Sequence, residues 1–390
     1  MPEKLLARRT TMARDKVVNL VESWVASGKL RAGDSLPAEQ KISDDLGIAR
    51  GTVRSGLKLL EDRKVICKRN QRRIVADRRE NNNINKLLDD AIVLAGLSNS
   101  DIKQFHHSTL MAGIEASVTL QLETMPYNIF TIRMKRENRS EYFRELIEAG
   151  VKGVIFFQDI SLEDDFPELF KLCIDKQACC VINSGNHDFS QMNQVSFDHL
   201  NANYQLTKRL IDRGCRNIAN ISRQFNSTKH WVEEKYNGYK MALQDAGLTP
   251  PPLQFRARHD VDYDIKDAAA FERYSRLFAG YMVDIFNQPP EKQADAILVN
   301  GDWDIPLVNA ACEIHGKTPG KDVLIAGYDN KFDSGPFRNY HPLPPAFTVD
   351  KQHDLTGEKM VELLIDQINS ATGAGFPKHI KIEAKIIEEI

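Results

Sequence analysis

Apolar residues follow one pattern over the first 76 residues of the chain and a different pattern beyond residue 90. Up to residue 76 they recur every three or four positions, which predicts short amphipathic helices. Beyond residue 90, short β-branched runs that are apolar at nearly every position alternate with longer amphipathic segments. Residues 77–89, DRRENNNINKLLD, have no periodic apolar face, and we interpret them as a linker between two domains, 1–76 and 90–390.

The N-terminal domain has the pattern of three helices. The first is predicted over residues 14–27 and the third over 50–62, each with its apolar residues on one face. The second is predicted to open at Pro37 with Ser35 as its cap, and Gly47 turns the chain into the third helix. Two helices joined by a tight glycine turn are typical of a helix-turn-helix.

The third helix places its basic residues away from its apolar stripe. Val53, Leu57 and Leu60 recur at i, i+4 and i+7 and are predicted to face the core. Arg50 and Arg54 then lie one turn apart on another face. A helix that is basic near its start and follows a glycine turn is the geometry that enters the DNA major groove. The alternative is a small helical domain with a solvated charged face.

A basic hairpin is predicted after the third helix. Residues 65–68 and 72–76 can pair as two strands with Asn70 and Gln71 at the tip and Arg72 beside it. Such a ribbon next to a recognition helix would be a wing that contacts an adjacent groove. The candidate DNA-binding residues are Glu39, Gln40, Arg50, Gly51, Thr52, Arg54, Lys58 and Arg72.

Charge is divided unevenly along the chain. Residues 1–80 hold 19 Lys and Arg against 11 Asp and Glu, a net charge of +8. The other 310 residues hold 33 against 43, a net charge of −10. We therefore expect only the N-terminal domain to contact a polyanion such as double-stranded DNA.

The N-terminal domain resembles that of a family of bacterial transcription factors. The segment GKLRAGDSLPAEQKISDDLGIARGTVRSGLKLLEDRKVI is similar to the winged helix-turn-helix of the gluconate-repressor (GntR) family. The resemblance implies that Arg50, Thr52 and Arg54 contact operator DNA. The chain departs from the family at Gln40, where many members have a basic residue, and at the wing tip, where NQRR replaces a glycine-rich turn.

Beyond residue 90, alternating strands and helices predict parallel sheets covered by helices on both faces. The length favours two lobes over one, so the expected fold class is α/β, with a winged helix-turn-helix followed by two doubly wound parallel sheets. Strands are predicted over residues 91–96, 127–134, 151–158, 178–183, 217–222, 295–299 and 322–328. Helices are predicted over residues 108–123, 140–149, 202–212, 233–246, 268–287 and 306–315.

The loops that follow these strands are candidates for a ligand site, because ligands of open parallel sheets bind beyond the carboxyl ends of the strands. The loops are rich in Asn, Asp, Arg and Lys, and they include Phe225 and Trp303. Such loops suit a ligand that carries hydroxyl groups, because polar side chains can hydrogen-bond to pairs of hydroxyls and aromatic rings can pack against the C–H groups of the ligand. The loops comprise residues 97–101, 135–136, 158–159, 184–187, 223–225, 300–304 and 329–330.

This part of the chain is similar to the effector domain of the lactose-repressor (LacI) family, which is related to periplasmic sugar-binding proteins. The resemblance is carried by VSFDHLNANYQLTKRLIDRGCRNIANIS, YNGYKMALQDAGL, DAILVNGDWD, DVLIAGYDN and FTVDKQHDLTGEKMVELLID. It implies a two-lobed periplasmic-binding-protein-like fold, a small-molecule effector such as a sugar between the lobes, and a homodimer formed through this domain. Together with the N-terminal domain, it implies an arabinose-repressor-like transcription regulator, with repression as the expected outcome.

The same resemblance implies individual effector-binding residues. Asp302 lies at a position that accepts sugar hydroxyls, and Lys235 stands where the family has an arginine. Trp303 could stack on a sugar ring. The alternatives are a helix cap for Asp302 and core packing for Trp303. The candidate effector-binding residues are Ser98, Asn201, Phe225, Lys235, Asp302 and Trp303.

The alternatives to a regulator are a sugar-processing enzyme, a sugar-binding protein without operator specificity, and a DNA-binding dimer with an inactive sensor. The sequence has no G-x-S-x-G, G-x-x-x-x-G-K-[ST], H-E-x-x-H or G-x-G-x-x-G motif, so we expect neither catalysis nor a cofactor. The histidines have no metal-ligand spacing. A panel of sugars tested for binding and for turnover separates these classes.

The sequence also indicates the cellular compartment of the protein. Charges interrupt every apolar run of the first 25 residues, and no run has the ~18–20 apolar residues of a membrane span. The six cysteines include no C-x-x-C pair, which favours free buried thiols. We therefore expect a cytoplasmic protein without a membrane partner.

Overall fold

The computed structural model describes residues 2–26, 28–31, 33–63, 65–69, 72–76, 88, 90–97, 105–134, 139–157, 166–185, 189–223, 230–251, 254–256, 261–370 and 376–389. The chain divides into two compact units, Met1–Leu87 and Leu88–Ile390. Within the described ranges, no helix is long and apolar enough to cross a membrane.

The described part of the N-terminal unit contains three helices and a hairpin. The helices are α1 (Pro2–Ala26), α2 (Glu39–Leu46) and α3 (Arg50–Asp62). The strands β1 (Ile66–Arg69) and β2 (Arg72–Val75) pair antiparallel. The third helix has the predicted bounds, whereas the first begins earlier than predicted.

The apolar stripe of α3 packs against α1 and thereby determines which face of α3 is exposed. Gly56 permits the contact, because a Cβ atom at this position would lie 2.8 Å from the Cβ of Val17. The predicted stripe is buried as expected. The buried core of the unit comprises Val17, Val18, Val21, Ile42, Val53, Leu57, Leu60 and Ile66.

The second helix begins two residues later than predicted, and the expectation that Ser35 caps it is wrong. Its N-cap is Ala38, which makes no side-chain capping hydrogen bond. Ser35 instead forms an isolated antiparallel bridge with Ile74, and the backbone N–H of Leu36 donates to Arg73 O at 2.8 Å. This pairing holds the segment extended beside the hairpin, so the helix can start only after it.

The C-terminal unit alternates strands and helices. Its strands are β3 (Ala91–Leu97), β4 (Asn128–Met134), β5 (Gly153–Phe156), β6 (Cys179–Asn183), β7 (Asn193–Phe197), β8 (Ile218–Arg223), β9 (Gln254–Arg256), β10 (Ala296–Val299), β11 (Leu324–Ala326), β12 (Phe347–Asp350), β13 (His379–Ile382) and β14 (Lys385–Glu388). Its helices are α4 (Phe105–Glu123), α5 (Arg139–Glu148), α6 (Phe166–Asp175), α7 (His199–Asp212), α8 (His230–Asp245), α9 (Ala268–Phe286), α10 (Ile305–Ile314) and α11 (His353–Asn369).

These strands form two six-stranded sheets, which define lobe 1 and lobe 2. Lobe 1 has the strand order β13-β7-β6-β5-β3-β4, and all its pairs are parallel. Lobe 2 has the order β14-β12-β11-β10-β8-β9, in which only β14 is antiparallel to its neighbour. Helices pack on both faces of the sheets, which explains why most central strands are apolar throughout.

The chain passes between the lobes three times. It leaves lobe 1 after β7 and returns after β12, where α11 packs on β5, β6 and β7. Residues 383–384 make the third passage, between β13 of lobe 1 and β14 of lobe 2. The carboxyl ends of the parallel strands and these passages frame the candidate effector site.

The predicted α/β fold with two doubly wound sheets is confirmed. Each predicted strand and helix of the C-terminal unit is present, with its ends shifted by a few residues. The sequence pattern missed α6, α11 and the strands β7, β9, β12, β13 and β14. The cysteines are free: Cys67 and Cys179 are partly exposed, and Cys173, Cys180, Cys215 and Cys312 are buried.

Candidate DNA-binding and effector sites

The exposed face of α3 brings together most of the predicted DNA-binding residues. The side chains of Arg50 and Arg54 are 59% and 63% exposed. Gly51 and Lys58 are also exposed, and Thr52 is half-buried at the first turn. The face therefore presents two guanidinium groups one turn apart, as recognition of bases and phosphates requires.

Glu39, at the first position of α2, holds these arginines in place. Its carboxylate accepts hydrogen bonds from Arg54 Nη2 at 2.9 Å and Arg54 Nε at 3.3 Å, and Arg50 Nε lies 3.4 Å away. Hydrogen bonds from Arg54 and Arg73 lower the pKa of Glu39 to about 2, so the group is charged at neutral pH. The predicted DNA contact of Glu39 stays a prediction, but its position is that of an orienting group.

Gln40 and Arg72 lie at the edges of this surface. The side-chain amide of Gln40 donates to Asp44 Oδ1 at 2.9 Å along α2. Arg72 is exposed and pairs with Arg69 across the hairpin, next to residues 70 and 71, which lie outside the described residues. The wing therefore presents adjacent basic residues near its tip.

Arg73 was missed by the sequence analysis. Its side chain is 15% exposed, Nη1 lies 2.6 Å from Glu39 Oε1, and Nε lies 2.5 Å from Glu61 Oε1. Arg73 thus connects β2 to both α2 and α3. The alternation of side chains along a strand could have identified it, because two successive arginines in a strand point to opposite faces and one of them must face inward.

In the C-terminal unit, Asp302 is fully buried in lobe 2. It begins a short 3-10 helix, Asp302–Asp304, after β10. Its carboxyl group accepts hydrogen bonds from Lys331 N at 2.8 Å and Thr348 Oγ1 at 2.9 Å. Burial raises its pKa to about 8, and these bonds oppose the rise only partly. Through these hydrogen bonds, Asp302 connects loops within lobe 2. Its predicted role in binding sugar hydroxyls stays a prediction.

Trp303 is packed into the same lobe. Its ring is 3% exposed and meets the ring of Tyr263 edge-on at a centroid distance of 5.5 Å. Its indole N–H donates to Ser334 Oγ at 3.4 Å. These contacts are those of core packing, and a stacking role on a sugar stays a prediction.

Lys235 lies at the predicted place, with its ammonium group among aromatic rings. The residue is 5% exposed, and its Nζ lies 3.2 Å from the centroid of the Tyr328 ring and 5.1 Å from that of Trp231. It also donates to Asn300 O at 3.4 Å. Cation–π contacts of this kind stabilise a desolvated ammonium group.

Asp329, beside Tyr328, completes a cluster that sequence analysis had located only as a loop. Its carboxylate pairs with Lys351 Nζ at 2.5 Å, just after β12. Asp329 has a φ of 89°, a left-handed conformation uncommon outside glycine. The Tyr328 hydroxyl lies 2.8 Å from His199 Nδ1, at the start of α7. Groups from several strand ends and from two passages between the lobes thus converge here.

The remaining predicted effector residues are placed as follows. Asn201 lies in the first turn of α7, where its backbone N–H donates to the capping carboxylate of Asp198 at 3.0 Å. Ser98 and Phe225 lie outside the described residues. Among the described residues, no group of His, Cys, Asp and Glu has the arrangement of a metal site.

The two lobes touch beside this cluster. A Cβ atom added at Gly185, after β6 of lobe 1, would lie 3.0 Å from His230 Nε2 at the start of α8 in lobe 2. The backbone of lobe 1 therefore lies close to the helix that carries Lys235.

Family models match both units. Residues 13–75 match the bacterial regulatory proteins of the gntR family. Residues 90–273 match the periplasmic binding proteins and sugar binding domain of the LacI family, and residues 207–388 match a periplasmic binding protein-like domain. The chain combines a GntR-type helix-turn-helix domain with a LacI-type domain.

Several transcription regulators are similar to part of this chain. The chain is 24% identical over 234 residues to the HTH-type transcriptional regulator RegA of Clostridium saccharobutylicum, which covers 60% of this chain and 63% of RegA. It is 26% identical over 182 residues to CelR of Thermobifida fusca, 47% of each chain. The matches thus span less than two thirds of the length of these relatives.

Solved structures agree with this fold. A transcriptional regulator CelR–cellobiose complex aligns with a TM-score of 0.58 and 17% identity, over 90% of this chain and 98% of that chain. The lac repressor dimer bound to operator and the anti-inducer ONPF aligns with a TM-score of 0.57 and 16% identity, over 80% and 97%.

Proposed function

We propose that this chain is a sequence-specific DNA-binding transcription regulator whose operator affinity is controlled by a sugar. The observation that carries the proposal is the exposed Arg50 and Arg54 pair of α3, beside a basic wing, in a chain that also has a LacI-type domain. The family matches of both units and the regulators among the relatives support it.

On DNA, α3 enters the major groove of the operator. Arg54 and Arg50 read base edges, and Thr52 and Lys58 contact phosphate oxygens. The wing places Arg72 in an adjacent groove or on its phosphates. Phosphate contacts supply most of the affinity, whereas the arginines supply specificity.

The effector binds between the lobes, at the cluster formed by Lys235, Tyr328, Asp329 and Lys351. A carboxylate and an ammonium group side by side can accept from one hydroxyl of a sugar and donate to the next. The solved CelR complex contains cellobiose, which favours a sugar as the class of effector. Asp302, enclosed within lobe 2, supports the loops that carry this cluster.

We further propose that the chain acts as a homodimer formed through the LacI-type domain. Two N-terminal units then bind the half-sites of a palindromic operator. An effector that binds one lobe arrangement more tightly than another shifts the dimer toward that arrangement and changes its operator affinity.

The test begins with selection of an operator from random duplex DNA, followed by fluorescence anisotropy with Arg54→Ala. We expect a loss of operator affinity of at least tenfold, because Arg54 supplies direct base contacts. Arg276→Ala is the matched control, since Arg276 is also exposed and ion-paired but lies in lobe 2.

The same variants are then tested for thermal shifts with a panel of pentoses, hexoses and disaccharides. Arg54→Ala should retain every shift of the wild type, since the effector site lies in the other unit. Full operator affinity in Arg54→Ala would contradict the assigned DNA-binding face. Sugar turnover by the wild-type protein would favour an enzyme instead.

A further inference from the structure

The side chain of Arg73 lies beneath the DNA-binding surface described above, between the wing and both helices of the helix-turn-helix. Its backbone is fixed by two neighbours: Arg73 pairs with Lys68 in the hairpin, and Arg73 O accepts from Leu36 N at 2.8 Å. Its guanidinium group is therefore brought toward α2 and α3 by a strand that is paired on both sides.

The guanidinium group bridges two carboxylates from different helices. Nη1 lies 2.6 Å from Glu39 Oε1 of α2, and Nε lies 2.5 Å from Glu61 Oε1 of α3. Lys68 lies 4.0 Å from the other Glu61 oxygen. The planar guanidinium can satisfy both carboxylates at once, which an ammonium group cannot do in the same geometry.

Glu39 passes this constraint to the recognition helix. One of its oxygens faces Arg73, and the carboxylate also accepts from Nε and Nη2 of Arg54. The orientation of Arg54 therefore depends on a carboxylate whose own position is fixed from behind by Arg73. Without that support, the exposed Arg54 side chain would sample other rotamers, and its base-reading geometry would be lost part of the time.

Arg73 itself is poorly placed to contact DNA. Its side chain is 15% exposed, against 63% for Arg54, and two of its donors are used within the unit. Its neighbour Arg72 is exposed. The two successive arginines of β2 therefore have different surroundings: one faces solvent, and the other faces the carboxylates.

We infer that Arg73 is a positioning residue that determines base discrimination through Glu39 and Arg54, without touching DNA. This inference rests on the proposed function. It predicts that the loss of Arg73 relaxes specificity at the base pair read by Arg54 and leaves non-specific DNA binding largely unchanged, because the phosphate-contacting residues remain.

The experiment measures the affinity of the full chain for the selected operator, for operators with single base-pair substitutions and for unrelated duplex DNA, over a series of salt concentrations. Arg73→Ala should reduce discrimination about tenfold at the base pair read by Arg54, which Arg54→Ala identifies. Arg73→Lys should restore little of it, because lysine keeps the charge but not the planar bridge. This variant also keeps the test decisive if the alanine variant folds poorly.

A double-mutant cycle with Glu39→Gln tests the path of the effect. If Arg73 acts through Glu39, Arg73→Ala should cause little further loss of discrimination in the Glu39→Gln background. Arg72→Ala is the matched control on the same strand: it should weaken binding to all sequences alike and reduce the salt dependence by about one counterion.

Two results would overturn the inference. The first is Arg73→Ala behaving like Arg72→Ala, with uniform loss and additivity with Glu39→Gln, since this would make Arg73 a direct phosphate contact. The second is unchanged discrimination in both Arg73 variants. Failure of the proposed function is a separate outcome, because the wild type would then select no operator at all.

Discussion

The two units use carboxyl groups in opposite ways, as Glu39 and Asp302 illustrate. Glu39 lies near the surface among arginines, and hydrogen bonds from Arg54 and Arg73 lower its pKa to about 2. Asp302 lies in lobe 2 among neutral donors, and burial raises its pKa to about 8. The same functional group is thus an anion in one unit and largely a neutral acid in the other at pH 7.

The difference follows from the neighbours of each carboxyl group and fits the proposed function of each unit. A surface that meets phosphates needs arginines in fixed directions, and a charged carboxylate can hold several of them. At Asp302 desolvation is the largest influence on the carboxyl group, and its hydrogen-bond donors are a backbone amide and a hydroxyl, so proton uptake removes the cost of burying a charge. Charged neighbours determine the position of the Glu39 carboxyl group in the N-terminal unit. Close packing determines the position of the Asp302 carboxyl group in lobe 2.

The largest expected effect tests the steric fit in lobe 2. A Cβ atom at Gly327 would lie 1.9 Å from Asp302 Oδ1, so Gly327→Ala must displace the buried carboxyl group or the backbone. We expect a loss of about 3 kcal/mol in unfolding free energy, measured by urea titration followed by circular dichroism. Gly280→Ala is the control, because a Cβ atom there meets nothing within 4 Å, and helix propensity predicts a slight gain. Equal stability of the two variants would contradict the described packing.

The pH dependence contributed by Asp302 is a smaller effect when it is expressed per pH unit. Its folded pKa of about 8 lies above the ordinary value of 3.8, so the folded state binds a proton that the unfolded state releases between these values. Stability from this group is therefore lost as pH rises from about 4 to 8, by at most about 1.4 kcal/mol per pH unit. Asp302→Asn should remove this slope, which urea titrations of both proteins at pH 5 and pH 8 can measure. A wild-type slope that the variant retains would argue against a neutral Asp302.

The smallest effect concerns Glu39 and has the opposite sign. Its folded pKa of about 2 lies below the ordinary value of 4.5, so its contribution is present above pH 4.5 and is lost as pH falls through 2. Because Arg50 and Arg54 are largely exposed, we expect Glu39→Gln to cost below about 1 kcal/mol at pH 7. The difference in thermal midpoint between the two proteins should shrink on acidification. A difference that grows instead would assign the stabilisation to another group.

The sequence pattern predicted those helices and strands in which apolar residues recur regularly over many positions. The stripe Val53, Leu57 and Leu60 determined both the bounds of α3 and the side on which Arg50 and Arg54 are exposed. The missed strands are short and include polar residues: β7 reads NQVSF and β14 reads KIIE. They pair with strands that are distant in sequence, as β13 does with β7, so no local pattern predicts these strands.

The structure places Asp302 and Asp329 after strands, as expected, while the effector-binding roles of individual residues stay predictions. Asp302 and Asp329 both follow strands and are both buried, and the sequence alone does not show which groups each of them contacts. Tertiary packing separates them: Gly327 lies against the carboxyl group of Asp302, whereas Asp329 pairs with Lys351. The role of Arg73 likewise depends on the pairing of 33–36 with the hairpin, which the helix-cap interpretation of Ser35 had obscured.

The link at residues 383–384 has a practical consequence. It lies between β13, an edge of the first sheet, and β14, an edge of the second. A rotation of one lobe against the other must therefore bend a stretch of backbone only two residues long. Isotope labels confined to residues 379–388 would report the movement of both lobes in a single spectrum.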